Sequence, residues 1–280
     1  MALAQRKRLL GQLGTYAVLL VFTFLAVYPV LYIGTISLRP GDRLLSTSLA
    51  LIPEGATLDS FRTLFTETAF LRWLLNSTLV SIVVTVTGVA LASTAGYALS
   101  RFRFTGRAAM LKGLLVTQMF PATMLLLPLY VLLIRLHLLN SYLGLIVIYS
   151  ATALPFCVWQ MKGYYDTIPA ALEEAARIDG CTPWQAFRLV VLPLAAPALV
   201  ITALFSFMSA WNEYVVANVV LQDTRMFTLP LGLKLFQGSM TTQWGLYAAG
   251  SLLVSIPVVI LFLVLSRYLI SGLTLGSVKG

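Results

Sequence analysis

Apolar residues run along this chain in long, nearly unbroken stretches separated by short polar punctuation. A helix rises about 1.5 Å per residue and a bilayer's hydrocarbon core is about 30 Å thick, so about 20 mostly apolar residues make one crossing. Six stretches reach that length, at about 14–37, 73–99, 109–135, 141–163, 197–221 and 246–270. Lipid offers no partner to a peptide N–H or C=O, so each stretch must satisfy its own backbone as a helix. Ten-residue segments of alternating polarity, the mark of a membrane barrel, do not occur. The expected fold is all-α: a single polytopic membrane domain over residues 1–280, with six transmembrane helices and one long loop at 166–193.

Composition agrees. Of 280 residues, 59% are hydrophobic and 10% charged, against about 25% charged in soluble domains. The net charge of +9 has no long basic run or aromatic-studded groove to go with it, so membrane orientation explains it better than nucleic acid. Arg6, Lys7, Arg8, Arg101, Arg103, Arg107, Lys112, Lys162, Arg177, Arg188, Arg267 and Lys279 fall on one side of a six-span arrangement. Arg39, Arg43, Arg62, Arg72, Arg135, Arg225 and Lys234 fall on the other. The excess puts both termini and the 166–193 loop in the cytoplasm. The first apolar run is longer than the core of a cleavable signal, so it is expected to stay as a span. Cys157 and Cys181, one in an apolar helix and one in a polar loop, suggest neither a bridge nor a metal site.

The second span carries Gly88, Ala92 and Gly96 at four-residue spacing, which lets another backbone come close. That backbone belongs either to this chain or to a partner. Pro121 and Pro128 in the third span, Pro155 in the fourth and Pro257 in the sixth are expected to kink their helices.

The 166–193 loop reads as two short helices around a turn. Pro169 suits a helix start, with Glu173 and Glu174 where the helix dipole favours them. Gly180 supplies a left-handed stop. Thr182 and Gln185 make a capping box around Pro183, and Pro193 is expected to end the second helix. Ala171, Ala175 and Ile178 form a small, smooth stripe on the first helix, and Trp184, Phe187 and Val191 an apolar stripe on the second. Such a knob docks either on its own membrane and helix ends or on a partner protein.

Glu174-Ala175-Ala176, Gly180 four positions on, nine residues, then Val190-Val191-Leu192-Pro193 resembles the EAA motif of ABC importer permeases, with valine where the family has isoleucine. Ile36 to Arg39, Tyr97 to Arg101, Gln118 to Pro121, Asp179 to Arg188 and the tail Gly272 to Gly280 are similar to the MalG-type permeases of maltose and maltodextrin importers. The resemblance implies a permease subunit in the bacterial inner membrane, working by alternating access. Its cargo would be maltose, maltodextrin or a related oligosaccharide such as trehalose. Its partners would be a second, MalF-like permease, a dimer of ATPase subunits and an extracytoplasmic sugar-binding protein. Glu173, Glu174, Ala175, Ala176, Asp179, Gly180, Leu192 and Pro193 would form the coupling element seated on the ATPase. Gly276, Ser277, Val278, Lys279 and Gly280 would reach between the ATPase subunits. ATP and Mg would be bound by the partner, and this chain would hold no cofactor or metal; no Gly-x-x-x-x-Gly-Lys-Ser/Thr loop occurs in it.

Glu213 is the one acidic residue within a predicted span, about 24 Å along the fifth. Ser206, Ser209 and Glu213 share a helical face, with Trp211, Asn212 and Tyr214 beside them. Together with Gln118 these are candidates for the translocation path, or else for hydrogen bonds between helices. A stand-alone carrier would need more intramembrane charge than this, and an enzyme would need a convergent acid, base or nucleophile set.

Overall fold

The computed structural model describes residues 2–41, 44, 50, 52–238 and 241–275, and the side chains of 11–41, 44, 50, 52–121, 123–238, 241–266 and 268. In chain order the helices are α1 (Ala2–Ser37), α2 (Asp59–Thr66), α3 (Phe70–Arg101), α4 (Arg107–Thr117), α5 (Leu126–Arg135), α6 (Tyr142–Tyr165), α7 (Ala170–Ile178), α8 (Pro183–Ala186), α9 (Leu192–Leu194), α10 (Ala196–Trp211), α11 (Val215–Val220), α12 (Leu229–Lys234) and α13 (Trp244–Leu275). No β-sheet occurs among the described residues, only an isolated bridge between Gln237 and Thr242.

Four described helical segments are long and apolar enough to cross a membrane: Gly11–Ser37, Phe70–Arg101, Tyr142–Tyr165 and Trp244–Ser266. A fifth forms if Pro183–Leu194 and Ala196–Trp211, bent by 78°, count as one broken span. The predicted crossing 197–221 is α10 and α11 with a break at 212–214, and the predicted crossing 109–135 is not one helix either. It divides into α4, a 3₁₀ turn at Ala122–Leu125, and α5. Pro121 lacks an N–H and adopts ψ 130° at the break, so the helical hydrogen-bond ladder cannot continue through it. Pro155 and Pro257, in contrast, lie inside continuous helices.

The chain forms two compact units. The first comprises residues 1–70 and 233–255. In it, α1 leaves its apolar side chains exposed from Leu13 to Tyr32, as a lipid-facing or partner-facing helix would. Thr35, Ile36, Ser37 and Arg39 are buried. The Arg39 guanidinium donates to the Leu44 carbonyl and lies 5.5 Å from the Tyr32 ring centre. Leu233 covers Gly250, where a Cβ would collide with its Cδ2.

The second unit comprises residues 71–232 and 256–280, and α6 is its axis. One core cluster joins Val80 and Val84 of α3, Leu133 of α5, Leu145, Ile148 and Tyr149 of α6, Ala210 of α10, and Val216, Ala217 and Val220 of α11. The other joins Ala92 and Leu99 of α3, Cys157, Val158, Met161 and Tyr165 of α6, and Phe187, Val191, Ala195 and Ala198. The small-residue stripe of α3 packs within the chain. A Cβ on Gly96 would sit 2.8 Å from Met161 Cβ and 3.0 Å from the Lys162 nitrogen, and one on Gly88 would sit 3.0 Å from Ser206 Oγ. Ala92 between them is fully buried. Ser141 starts α6 by accepting from the Gly144 nitrogen at 3.0 Å.

Candidate functional site

The loop from α6 to α10 is ordered by its own local chemistry. Pro169 is the N-cap of α7 and not its first residue. At the other end the Cys181 nitrogen donates to the Ala176 carbonyl at 2.9 Å and the Gly180 nitrogen to the Arg177 carbonyl at 3.1 Å. This paired closure needs a left-handed residue after the cap, and Gly180 supplies it with φ 92°. The Thr182 nitrogen then donates to Gln185 Oε1 at 2.8 Å, and the Gln185 nitrogen to Thr182 Oγ1 at 3.3 Å. The expected capping box, with Pro183 at the first helical position, is present.

Pro193 does not end the second helix. The chain widens into a π turn over Phe187–Val191, passes through α9 and bends only at Ala195. A proline ring crowds the carbonyl four residues before it, here that of Leu189. The wider turn, in which the Leu192 nitrogen reaches back to the Phe187 carbonyl, accommodates the ring without stopping the helix.

The two adjacent glutamates part company. Glu173 is 8% exposed, whereas Glu174 faces open space. Tyr97 Oη donates to Glu173 Oε2 at 2.7 Å, and Arg101 Nε donates to Oε1 at 2.5 Å. Arg101 also donates through Nη2 to the Ile168 carbonyl at 2.8 Å. A second tie lies beside it, where Ser100 Oγ donates to Asp166 Oδ1 at 2.7 Å and Lys162 pairs with Asp166 Oδ2. Burial alone would raise the Asp166 carboxyl, but the hydrogen bonds from Lys162 and Ser100 outweigh it and hold the group below the usual aspartate value.

The expected stripes divide likewise. Phe187 and Val191 are buried in the chain's own core, packed with Tyr97 and Tyr165, while Trp184 stays 61% exposed. On α7, Ala176 is buried, but Ala171, Glu174, Ala175, Arg177 and Asp179 are exposed and Ile178 is 86% exposed. The result is a firm knob, fastened on one face and bare on the other. Leu192 is half-buried and Pro193 exposed. Gly276 to Gly280 lie outside the described residues.

The path candidates do not gather in one place. Gln118 is exposed at the break in the third span. Its Nε2 donates to the Thr152 carbonyl at 3.3 Å, on the rim of an apolar cavity of about 380 Å³ between that span and α6. Ser206 is fully buried, 3.4 Å from Cys157 Sγ. Trp211 is buried with its ring stacked 5.2 Å from Phe207. Ser209 and Tyr214 are half-buried and Asn212 is exposed. Glu213 accepts from the Val216 and Ala217 nitrogens at 2.8 and 3.1 Å, and from Tyr149 Oη at 2.8 Å. It caps α11 and ties α6 to the break after α10.

The sequence marks Arg101 as a topology charge and Tyr97 to Arg101 as a family-like segment, but neither Tyr97 nor Arg101 as a partner of Glu173. The available signal was their four-residue spacing, which puts both side chains on one face at the end of α3.

A sequence model of the family described as "Binding-protein-dependent transport system inner membrane component" matches residues 85–274. The chain belongs to this family. It is a membrane-embedded transport component and not the ATP-hydrolysing one. It is 39% identical over 300 residues to the maltose/maltodextrin transport system permease protein MalG of Escherichia coli (strain K12), covering 100% of each. MalG of Yersinia pestis is 38% identical over 296 residues, 99% of this chain and 95% of that one. The maltodextrin transport system permease protein MdxG of Bacillus subtilis (strain 168) is 36% identical over 279 residues, 99% of each. Among solved structures, a chain of a bacterial ABC transporter involved in import of the acidic polysaccharide alginate superposes with a TM-score of 0.81 at 26% identity. The match covers 93% of this chain and 96% of that one.

Proposed function

We propose that this chain is one of two permease subunits of an ATP-driven importer for maltose, maltodextrin or a related oligosaccharide. The observation that carries the reading is similarity at 36–39% identity, over almost the entire chain, to permeases named for maltose and maltodextrin transport. The bare face of α7, with Glu174 and Ala175 of the EAA motif on it, supports the mechanical part. Six crossings with both termini in the cytoplasm follow from the apolar stretches and from the basic excess on one side.

In this reading a second, MalF-like permease completes the path and an extracytoplasmic protein delivers the sugar. Two copies of an ATPase bind ATP and Mg. Glu174, Ala175, Asp179 and Gly180 meet the ATPase, and residues 276–280 reach between its subunits. Closure of the ATPase dimer pushes α7, and the bundle alternates between inward-open and outward-open forms. Asn212, at the break after α10, and Ser209, in its last turn, are the path candidates best placed to meet a hydroxyl-rich ligand, because Ser206, Trp211 and Glu213 are engaged inside the chain.

The test is purification of a tagged chain from native membranes. An ATPase and a second permease should co-purify, and the complex in liposomes should take up radiolabelled maltotriose when given ATP and the binding protein. Uptake by the chain alone, or uptake of a solute other than a saccharide, would overturn the proposal.

A further inference from the structure

We infer that Glu173 is a positioning residue whose buried ion pair with Arg101 makes α3 move with α7, so that the push received at Glu174 reaches α3 directly. The inference rests on the importer reading above. Neighbouring residues of a helix point about 100° apart, so one glutamate of the pair can serve the outer face while the other serves the inner one. Glu174 is exposed, and Glu173 is 8% exposed with both carboxylate oxygens occupied.

The partners of Glu173 come from a single place. Tyr97 and Arg101 stand one turn apart at the end of α3. Arg101 uses different edges of its guanidinium for Glu173 Oε1 and for the Ile168 carbonyl, so it holds both the first turn of α7 and the backbone leading into it. Guanidinium suits this double role because its donors are fixed in a plane. The Ser100–Asp166–Lys162 contacts fasten the segment before α7 to the same helix end. Besides these ties, α7 is joined to the bundle by the short chain 166–169 and by the apolar packing of Ile168 and Ala176, which is non-directional and resists sliding less than a two-pronged ion pair does.

The far side of the joint is stiff. Gly96 brings α3 against the backbone of α6 at Met161 and Lys162, and Gly88 brings it against Ser206 of α10. A displacement of α7 that drags the end of α3 is therefore passed on by close-packed surfaces that deform little. A bare structural role for the pair predicts loss of protein. A transmitting role predicts loss of work per ATP in protein that is still assembled, and this difference separates the two.

The experiment uses the whole complex in proteoliposomes and reads sugar transported per ATP hydrolysed, with the amount of ATPase co-purified. The wild-type complex must first transport sugar; if it does not, the importer reading fails and not the strut. Glu173→Ala is expected to keep the ATPase bound while transport per ATP falls about tenfold, within the usual range of coupling between sites. Tyr97→Phe, which keeps the ion pair, should stay within about twofold, and Glu173→Arg with Arg101→Glu should recover more transport than either change alone. Should Glu173→Ala fail to assemble, Arg101→Lys decides the matter. It keeps the charge but cannot hold Glu173 and Ile168 together, so its transport per ATP should drop with assembly intact. A wild-type ratio in whichever of these two variants assembles would overturn the inference.

Discussion

Tyr149 Oη donates to Glu213 Oε2 at 2.8 Å, joining the middle of α6 to the break between α10 and α11. The same carboxylate accepts from the Val216 and Ala217 nitrogens, so one side chain caps α11 and fixes its start to the axial helix. Glu213→Ala would strand three donors. At about 1–3 kcal/mol for each buried polar group left unpaired, with some relaxation, the loss should be about 2–4 kcal/mol. Tyr149→Phe removes one bond and should cost about 1 kcal/mol. Thermal unfolding in detergent measures both. If Glu213 instead served the ligand alone, Glu213→Ala would leave the melting temperature in place and change only the apparent sugar affinity.

Gly96 and Gly163 make a matched pair of tests for helix packing. A Cβ on Gly96 would lie 2.8 Å from Met161 Cβ, and one on Gly163 would meet nothing within 4 Å. Gly96→Ala must force α3 from α6 or bend a backbone, at about 1–3 kcal/mol for an overpacked site. Gly163→Ala should be neutral or stabilising by up to about 1 kcal/mol, since alanine favours helix. Yield and melting temperature of the two variants, prepared side by side, check the contrast. Equal behaviour would mean that α3 and α6 are not in close contact.

Part of the local punctuation of this chain is legible in its sequence, and the side of each helix is not. Gly180 as a left-handed stop and the Thr182–Gln185 capping box follow from bonds spanning at most a few residues, and both occur. Glu173 and Glu174 are equivalent by spacing and charge. What separates them is contact with Tyr97 and Arg101, more than seventy residues away, which no local pattern encodes. The prolines teach the same lesson. Pro155 is carried inside α6 while Pro121 breaks the third span, although each ring removes one N–H and crowds the preceding turn in the same way. The stripe of Phe187 and Val191 was legible as apolar, but its partner proved to be the chain's own core.

Sidedness can be read with the chain's own thiols. Cys181 is half-buried at the turn after α7, and Cys157 is buried inside α6. With the loop in the cytoplasm, a membrane-impermeant maleimide should leave intact cells unlabelled. Inverted vesicles stripped of peripheral subunits should take up one label per chain, which Cys181→Ser removes. Labelling of Cys181 from outside intact cells would reverse the orientation drawn from the basic residues.

Glu174 provides the sharpest test of how the loop is used. Its side chain lies on the open face of α7, beside Ala171, Ala175 and Ile178, and on the side away from the Glu173–Arg101 pair. An exposed surface substitution there should change the stability of the isolated chain by no more than about 0.5 kcal/mol. Glu174→Lys should therefore insert, fold and melt as the parent does. If the bare face seats the ATPase, the same change reverses the charge presented there and should abolish co-purification and coupled uptake together. Ile178→Asp, one turn further along the same face, should weaken the association through lost apolar contact, with the chain again intact. Full-rate transport by Glu174→Lys would mean that the exposed face of α7 is not where force enters, whatever else the loop does.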